Sequence, residues 1–409
     1  MISSCGSDID GSLKSKTKPN VKELVKAASA GDPAAMVGLG ELYTIGTHVD
    51  QDHKTAVGWY LRAAELGNEV AMFNLGVCYE KGNGVIQDMN KADVWYRRSI
   101  EKKHTPAMVN LGKRLLDASE GDLGIKRREG VDLYLQAASL GNGLAMFNLG
   151  SCFEEGRGVE HDESQAVLWY QRAVEAGSSD AMSNLGLCYL NGKGVGKDVD
   201  KAIELYRQAI ALDNPGGMIN LGLCLQKGQG VEKNYKEAAG WFRKGASLGR
   251  ASGMHNLGVS YLHGWGVEKD ESKAVAWYRK AAKLNYTKSI FNLGVCYRDG
   301  CGVVRDFREA ARWYQLAVDL GDSSAMSELG VLYEDGLGVR KDLRKAVDLY
   351  GNSAKLDNTL GMNNLGGCYL RGVGVIKSRD IARNWFRRAA QLGNKHAKRV
   401  LLENFGETW

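Results

Sequence analysis

The sequence contains little proline and no long run of apolar residues. Only four of its 409 residues are proline, a residue that interrupts helix interiors, so regular helix is permitted along most of the chain. No stretch of 18 or more apolar residues occurs, and we therefore predict no transmembrane helix. Residues 1–20 lack the apolar core of a secretory signal and are rich in serine, glycine, aspartate and lysine. We expect them to form a disordered tail.

The chain also lacks a strong excess of charge of either sign. Lysine and arginine number 54 and aspartate and glutamate number 48, which gives a formal net charge of +6 at pH 7. Nucleic-acid-binding domains usually carry a much stronger basic excess. We therefore predict no nucleic-acid partner.

Residue clusters typical of an active site or a metal site are absent from the sequence. The seven histidines are scattered, and neither an H-x-x-x-H nor a C-x-x-C spacing occurs. The G-x-G-V segments lack a following G-K-[ST] and recur eight times, whereas a nucleotide needs one phosphate loop. We predict no catalytic residue, no cofactor and no metal, and hence no enzymatic activity.

What the sequence does contain is a 36-residue segment that recurs ten times. The copy at 181–216 reads AMSNLGLCYLNGKGVGKDVDKAIELYRQAIALDNPG. Every copy spans 36 residues except the third, which spans 38 and lacks G-x-G-V. A fixed period of this kind predicts stacked units that each pack on their neighbours. The copies begin at Ala35, Ala71, Ala107, Ala145, Ala181, Gly217, Gly253, Ser289, Ala325 and Gly361.

Each repeat is predicted to form two helices. Small, leucine and aromatic residues at positions 1, 5 and 9 follow a helical period, as in Ala181, Leu185 and Tyr189. The G-x-G-V segment ends this first helix, and Asp or Asn at position 18 caps the second. A glycine at position 6 in all ten repeats predicts close approach to a small residue at position 22, such as Ala274. The Trp-Tyr pair of the second helix, such as Trp277-Tyr278, is expected to fill the space between repeats.

The pattern A-x-x-x-L-G-x-x-Y-x-x-G-x-G-V, followed by D-x-x-K-A-x-x-W-Y-x-x-A-A-x-x-G, resembles the Sel1-like repeat, a relative of the tetratricopeptide repeat. The resemblance covers nearly the whole chain. It implies an all-α fold, a right-handed αα superhelical solenoid whose first helices line the concave surface. It also implies an adaptor without a shared catalytic residue. The expected organisation is a tail at 1–20, a capping helix at 21–34, ten repeats at 35–396 and a capping helix at 397–409.

The cysteines depart from the two-per-repeat pattern of secreted, disulfide-rich relatives of that family. Six of the eight occupy position 8, one per repeat, too far apart for neighbouring residues to bond. They are predicted to be buried, unreactive thiols, with Cys5 and Cys301 exposed. Free thiols favour a cytoplasmic protein. The ER lumen or secretion remains an alternative if an N-terminal signal was removed.

Asparagine at position 4 of the first helix is the most informative polar feature. One interpretation is that each carboxamide bridges adjacent repeats, and the other is that the row grips the backbone of a bound peptide. Positions 3, 7 and 11 of the same helix are expected to face the same groove. The candidate partner-binding residues are Asn74, Asn110, Asn148, Asn184, Asn220, Asn256, Asn292, Asn364, Phe147, Leu187, Leu223, Val259 and Phe291.

These features together predict a non-catalytic scaffold for protein–protein interaction. A protein or peptide segment is expected to bind the concave face, centred on repeats five to eight, where apolar residues with a charged rim are typical of recognition surfaces. The alternative is a structural spacer whose partner contacts the convex face, the tail at 1–20 or the irregular third repeat. That repeat carries Lys126-Arg127-Arg128 in what is expected to be a loop.

Overall fold

The computed structural model describes residues 21–118 and 123–409. The expected disordered tail at 1–20 lies outside the described residues, as do 119–122 in the third repeat. The described residues form 22 α-helices and no strand. They fall into two compact units, one ending at Asp198 and the other spanning Val199–Trp409.

The first unit contains ten helices that pack in sequence order. The helix α1 packs on α2, and the following helices pair as α2 with α3, α4 with α5, α6 with α7 and α8 with α9. Their bounds are α1 Val21–Ser29, α2 Pro33–Ile45, α3 His53–Glu65, α4 Glu69–Lys81, α5 Met89–Glu101, α6 Thr105–Leu116, α7 Leu123–Ser139, α8 Gly143–Glu155, α9 Glu163–Glu175 and α10 Ser179–Asn191.

The second unit contains twelve helices arranged in the same way. Even-numbered helices are the first helices of repeats, and α22 packs on α21 at the C-terminal end. Together the pairs confirm the predicted all-α solenoid of two-helix repeats. The bounds are α11 Val199–Ala211, α12 Pro215–Lys227, α13 Tyr235–Ser247, α14 Ala251–His263, α15 Glu271–Ala282, α16 Thr287–Asp299, α17 Phe307–Asp319, α18 Ser323–Asp335, α19 Leu343–Lys355, α20 Thr359–Arg371, α21 Arg379–Gln391 and α22 Lys395–Phe405.

The turn between the two helices of a repeat follows the predicted chemistry. In the eighth repeat Gly300 ends α16 with φ 81°, and Gly302 has φ 69°. A Cβ added to Gly302 would lie 2.2 Å from the backbone oxygen of Glu271, so this turn packs on the preceding repeat's second helix. Asp306 then caps α17, where its Oδ1 accepts from the backbone N–H of Arg308 at 2.8 Å. Gly302 is required both by its positive φ and by the lack of room for a Cβ.

The glycine at position 6 has a different nearest partner from the one predicted. A Cβ added to Gly294 would lie 2.5 Å from the ring of Tyr314, at position 26 of the same repeat. Equivalent contacts to Tyr or Phe rings occur at Gly40, Gly76, Gly112, Gly150, Gly222, Gly258, Gly330 and Gly366. The predicted residue at position 22 is therefore a secondary partner, as at Gly258, where an added Cβ would lie 3.3 Å from the backbone oxygen of Ala274. The aromatic ring reaches across the helix pair and leaves no room for a methyl group.

The two residues of the Trp-Tyr pair differ in burial, whereas the prediction placed both between repeats. The tyrosines at position 26 are buried, and Tyr170 and Tyr314 are both 0% exposed. The tryptophans beside them are only half-buried. Trp169, for example, lies under the guanidinium of Arg172, 4.6 Å from the ring centroid. The tyrosine fills the helix interface, whereas the tryptophan points 100° further round the helix and packs against the core with part of its ring exposed.

The third repeat differs from expectation in its second helix. Lys126, Arg127 and Arg128 lie within α7, which begins at Leu123 and extends over 17 residues. They are therefore not in a loop. Gly130 of α7 approaches Gly112 of α6 so closely that a Cβ on Gly130 would lie 2.7 Å from the Gly112 oxygen. Within the described residues, no helix has the length and apolar character needed to cross a membrane.

Candidate functional site

The position-4 residues form a row, here called the asparagine row, on the first helices of each unit. Asn74 is buried, with 7% of its surface exposed. The other seven are half-buried, so each carboxamide lies at the boundary between the interior and the surface. In the first unit these are Asn110, Asn148 and Asn184, and in the second Asn220, Asn256, Asn292 and Asn364.

Several of these carboxamides bridge consecutive repeats through a buried tyrosine. Asn184 Nδ2 donates to the hydroxyl of Tyr170 in the preceding repeat at 3.3 Å. That hydroxyl donates in turn to Glu154 Oε2 at 2.6 Å. Burial raises the pKa of Tyr170, the Glu154 carboxylate raises it further, and the Asn184 hydrogen bond lowers it. One amide N–H and the Asn184 oxygen are left for other partners.

The same bridge recurs in the two preceding repeats. Burial raises the pKa of Tyr96, and the hydrogen bond from the Asn110 side chain lowers it. Asn148 acts in the same way on Tyr134. A buried hydroxyl that lost such a bond would keep its desolvation cost without compensation. The bridge is therefore part of the contact between repeats, and it explains why a poor helix former occupies position 4.

In two repeats the position-4 side chain has a different partner, and in both the preceding repeat carries a different residue at the contact. The sixth repeat has Phe242 in place of tyrosine, and Asn256 donates instead to the Ser252 carbonyl of its own helix at 2.9 Å. The ninth repeat has Glu328 at position 4, which pairs with Arg298 of the eighth repeat at 2.5 Å. At the boundary between the eighth and ninth repeats, a change of residue on one side is thus matched by a change on the other, whereas Asn256 is still asparagine and differs only in its hydrogen-bond partner.

The remaining asparagines differ in what they contact. The Asn74 amide nitrogen is buried and has no hydrogen-bond partner among the described residues. Asn292 resembles Asn110 and Asn148 instead, because its side chain lowers the pKa of the preceding repeat's Tyr278, which burial raises. Asn364 lines a cleft of about 430 Å³ beside Gly367 and the last helix. The row is therefore not chemically uniform.

Positions 3 and 7 of the first helices, both predicted to face a groove, behave differently. The position-3 rings of Phe147 and Phe291 are half-buried and pack on Tyr170 and Tyr314, with centroids 5.9 and 5.7 Å apart. Phe73, at the same position, is only 2% exposed. Position 7 is more accessible: Leu187 is 42% exposed, and Leu223 and Val259 are half-buried.

The position-8 cysteines are free and buried, as the sequence predicted. Burial raises the pKa of Cys78, Cys152, Cys188 and Cys368 to about 11 and that of Cys296 to about 12. Thiols with so little thiolate at neutral pH are unreactive. Cys301 is half-exposed, and Cys5 lies outside the described residues. Over 21–118 and 123–409, no three His, Cys, Asp or Glu side chains are grouped in a way that could hold a metal ion.

Sequence reasoning missed a cleft of about 620 Å³ in the second unit. It is lined by residues of α11, α12 and α13 and by the turn that joins the last two. The available signal was Leu225, which stands where most repeats have tyrosine. The exception was visible in the sequence, but the space it leaves depends on neighbours from three helices.

A family model for the Sel1 repeat matches the chain ten times. The matches cover residues 33–68, 70–104, 105–142, 143–178, 179–214, 215–249, 251–286, 287–322, 323–358 and 359–394. A comparison with curated protein sequences gives no match.

Two solved structures show a similar architecture over most of the chain. One is c5321, described as a protective antigen of uropathogenic Escherichia coli with an SLR fold. It is 29% identical, with a TM-score of 0.54 over 95% of this chain and 84% of that one. The other is a Sel1 repeat protein from Oxalobacter formigenes, 27% identical, with a TM-score of 0.51 over 75% of this chain and 88% of that one.

Proposed function

Because the chain belongs to the Sel1 repeat family, we propose that it is a non-catalytic scaffold that binds an extended segment of a partner protein. Sel1 repeat proteins generally mediate protein–protein interactions, and the family is generally non-enzymatic. The proposed site lies in the second unit, on α12, α14 and α16. We call it the first-helix surface and define it by positions 4, 7 and 11 of these helices: Asn220, Leu223, Lys227, Asn256, Val259, His263, Asn292, Val295 and Asp299.

The observation that carries the proposal is the same graded exposure on three consecutive first helices. In each, position 4 is a half-buried carboxamide, position 7 a half-buried aliphatic side chain and position 11 an exposed polar or charged one. The helices α12 and α14 also contact each other directly. An apolar strip bordered by polar groups is the usual composition of a protein-recognition surface.

An extended segment suits this surface better than a globular one. Carboxamides both donate and accept hydrogen bonds, so they match the alternating N–H and C=O groups of a peptide backbone. The aliphatic residues offer contacts to every second side chain of such a segment. At position 11 the exposed residue changes from Lys227 to His263 to Asp299, and this gradient of charge favours one direction of the bound chain.

The experiment uses a triple variant and a matched control. Leu223→Glu, Val259→Glu and Val295→Glu place three charges on the strip. The control variant carries Leu248→Glu, Leu284→Glu and Leu320→Glu, which change leucines at the ends of the second helices in the same repeats. These are exposed to 49%, 48% and 37%. Partners are captured with each purified protein from lysate of the producing cells and identified by mass spectrometry.

The expected result is that partners held by the wild-type protein are lost with the first variant and kept with the control. Circular dichroism must show unchanged helix content in both. An unchanged set of partners with the first variant would contradict the proposed site. Loss with the control alone would favour the alternative, a spacer whose partner contacts the second helices. The other candidate residues of the first unit, such as Leu187 and Phe147, remain predictions.

A further inference from the structure

The sixth repeat lacks an aromatic ring that nearly all other repeats supply. Position 9 of the first helix is tyrosine or phenylalanine in eight repeats. It is leucine in the irregular third repeat, as Leu115, and in the sixth, as Leu225. Leu225 is therefore the exception among repeats with a G-x-G-V turn. The rings are Tyr43, Tyr79, Phe153, Tyr189, Tyr261, Tyr297, Tyr333 and Tyr369.

Where the ring is tyrosine, its hydroxyl meets residues at two recurring positions. Position 27 of the preceding repeat supplies Gln171, whose Nε2 donates to Tyr189 at 3.3 Å. It also supplies Arg279, whose Nη2 donates to Tyr297 at 2.7 Å. Position 21 of the same repeat supplies Lys345, whose Nζ donates to the hydroxyl of Tyr333 at 2.7 Å. Each of these three phenols is thus held by a donor at one of the two positions.

At Leu225 these neighbours remain and the ring is replaced by open space. The cleft of about 620 Å³ is lined by Arg207 at position 27 of the fifth repeat and by Glu237 at position 21 of the sixth. Its floor includes the buried side chains of Leu221 and Leu225, and Trp241 forms a further wall. A site of this size, with an apolar floor and a few polar groups, is typical of a ligand pocket.

We propose that this cleft binds a tyrosine side chain of a partner protein. The phenol ring occupies the place that position 9 fills in other repeats, and its hydroxyl accepts a hydrogen bond from the Arg207 guanidinium. The eighth repeat provides the template, because Tyr297 there accepts from Arg279, and position 21 is again a glutamate, Glu309. The same two residue types flank the cleft, and only the ring is missing.

The polar groups of the cleft are arranged to suit this occupant. Glu237 is already held, since its carboxylate accepts from Trp241 Nε1 and from Asn234 Nδ2, both at 3.3 Å. Arg207 forms no hydrogen bond or ion pair with any other described residue. The other cation of the lining is Lys233, whose ammonium lies 4.7 Å from the centroid of the Tyr235 ring. The Arg207 guanidinium is thus the charged donor left for a phenol oxygen, and a hydrogen bond from a charged donor is stronger than a neutral one.

The proposal does not rest on the proposed function. The cleft and the first-helix surface share no residue, and each can be tested while the other is intact. A partner that binds both would gain affinity from the two contacts together, but the tyrosine site is testable with small probes alone.

The test is a methyl NMR titration of the full chain with p-cresol, the side-chain analogue of tyrosine, and with toluene. We expect p-cresol to shift the methyl signals of Leu221 and Leu225 saturably. Leu225→Tyr fills the cleft and should abolish the shift at Leu221. Arg207→Met should weaken p-cresol binding by about tenfold and leave toluene binding unchanged, because only the phenol uses the guanidinium.

A gain-of-site variant and a peptide probe complete the experiment. Tyr297→Leu should create a second p-cresol site beside Arg279, which shows that the position-9 ring closes the space. The peptide N-acetyl-Gly-Tyr-Gly-amide should compete with p-cresol, as required for a tyrosine within a protein. The proposal is overturned if p-cresol gives no saturable shift, if Leu225→Tyr binds it unchanged, if toluene binds equally well, or if the peptide fails to compete.

Discussion

His255 occupies position 3, which was expected to face the groove, but its side chain is buried. It lies in the seventh repeat, is 9% exposed, and its Nδ1 lies 2.9 Å from Ser289 Oγ. Tyr278 and Tyr286 pack on the ring, and Lys288 adds a positive charge nearby. Burial, and then Lys288, lowers the pKa of His255 to about 4. The imidazole is therefore neutral at pH 7.

We expect the free energy of unfolding to decrease as the pH falls from 7 to 4.5, in part because of His255. The unfolded side chain takes up a proton near its usual pKa of about 6.5, whereas the folded one does not. The stabilisation is complete above pH 6.5 and declines through the interval down to about 4. By pH 4.5 the loss from this residue is about 2 to 3 kcal/mol. Urea unfolding at several pH values measures it.

The matched control is His255→Phe, because position 3 is phenylalanine in three other repeats. In this variant the free energy of unfolding should decrease less between pH 7 and 4.5, because the contribution of His255 is absent. If the two proteins lose stability in parallel between pH 7 and 4.5, the histidine is not the group that titrates. Direct NMR titration of the His255 ring then locates its pKa.

Position 3 also illustrates what the sequence predicts at the scale of residues and what it does not. Positions 3 and 7 are four residues apart, so they lie only about 40° apart round a helix. A periodic pattern assigns both to one face. The structure separates them: on α10, Ser183 at position 3 is 4% exposed and Leu187 at position 7 is 42% exposed. That difference depends on how the next helix is placed, which the pattern does not contain.

At the scale of elements, the helix pair of each repeat is closed by the contact between the position-6 glycine and the position-26 ring. We expect Gly294→Ala to destabilise the protein by about 2 to 3 kcal/mol, since the added methyl would overlap Tyr314 within a tightly packed pair. Gly240→Ala is the control. Gly240 lies within α13, and a Cβ there meets nothing within 4 Å. Removal of a mid-helix glycine should stabilise by up to about 1 kcal/mol.

Thermal unfolding of the two variants measures the opposed effects. The same substitution thus has opposite signs at two helical glycines, and the sign depends on the opposing side chain alone. A Gly294→Ala protein as stable as the wild type would show that the ring can move aside, and the contact would then not account for the glycine in every repeat.

The sequence predicted the elements well and their contacts less well. The helix period recurs in all ten copies and the turn glycines and caps in at least eight of them, so errors in any one copy are averaged out. The nearest partner of Gly294 was missed because a helical period identifies a face and not the residue that reaches across to it. The cleft at Leu225 was missed for a related reason: Arg207 and Glu237 come from separate helices, and only the fold brings them together.

At the scale of the whole molecule, packing is local along the chain. The closely packed helices are neighbours in sequence, apart from first helices of successive repeats such as α12 with α14 and α18 with α20. In such an array the stability of each repeat depends on itself and on the adjoining interfaces. A repeat array built this way can differ in one repeat, as the sixth differs at Leu225, without reorganising the remainder.

We therefore expect damage to one repeat to remain local. In Gly294→Ala, amide hydrogen exchange should increase most in α16 and α17, less in the adjoining α15 and α18, and not measurably in α2 to α5. The reason is that the lost packing energy belongs to one helix pair and to its two interfaces, while the distant repeats keep all of their contacts. Exchange followed by mass spectrometry resolves these helices as separate peptides, with Gly240→Ala as the comparison that should show no increase. Faster exchange by the same factor in every helix would mean that the array unfolds as one cooperative body, and the nearest-neighbour description would then fail.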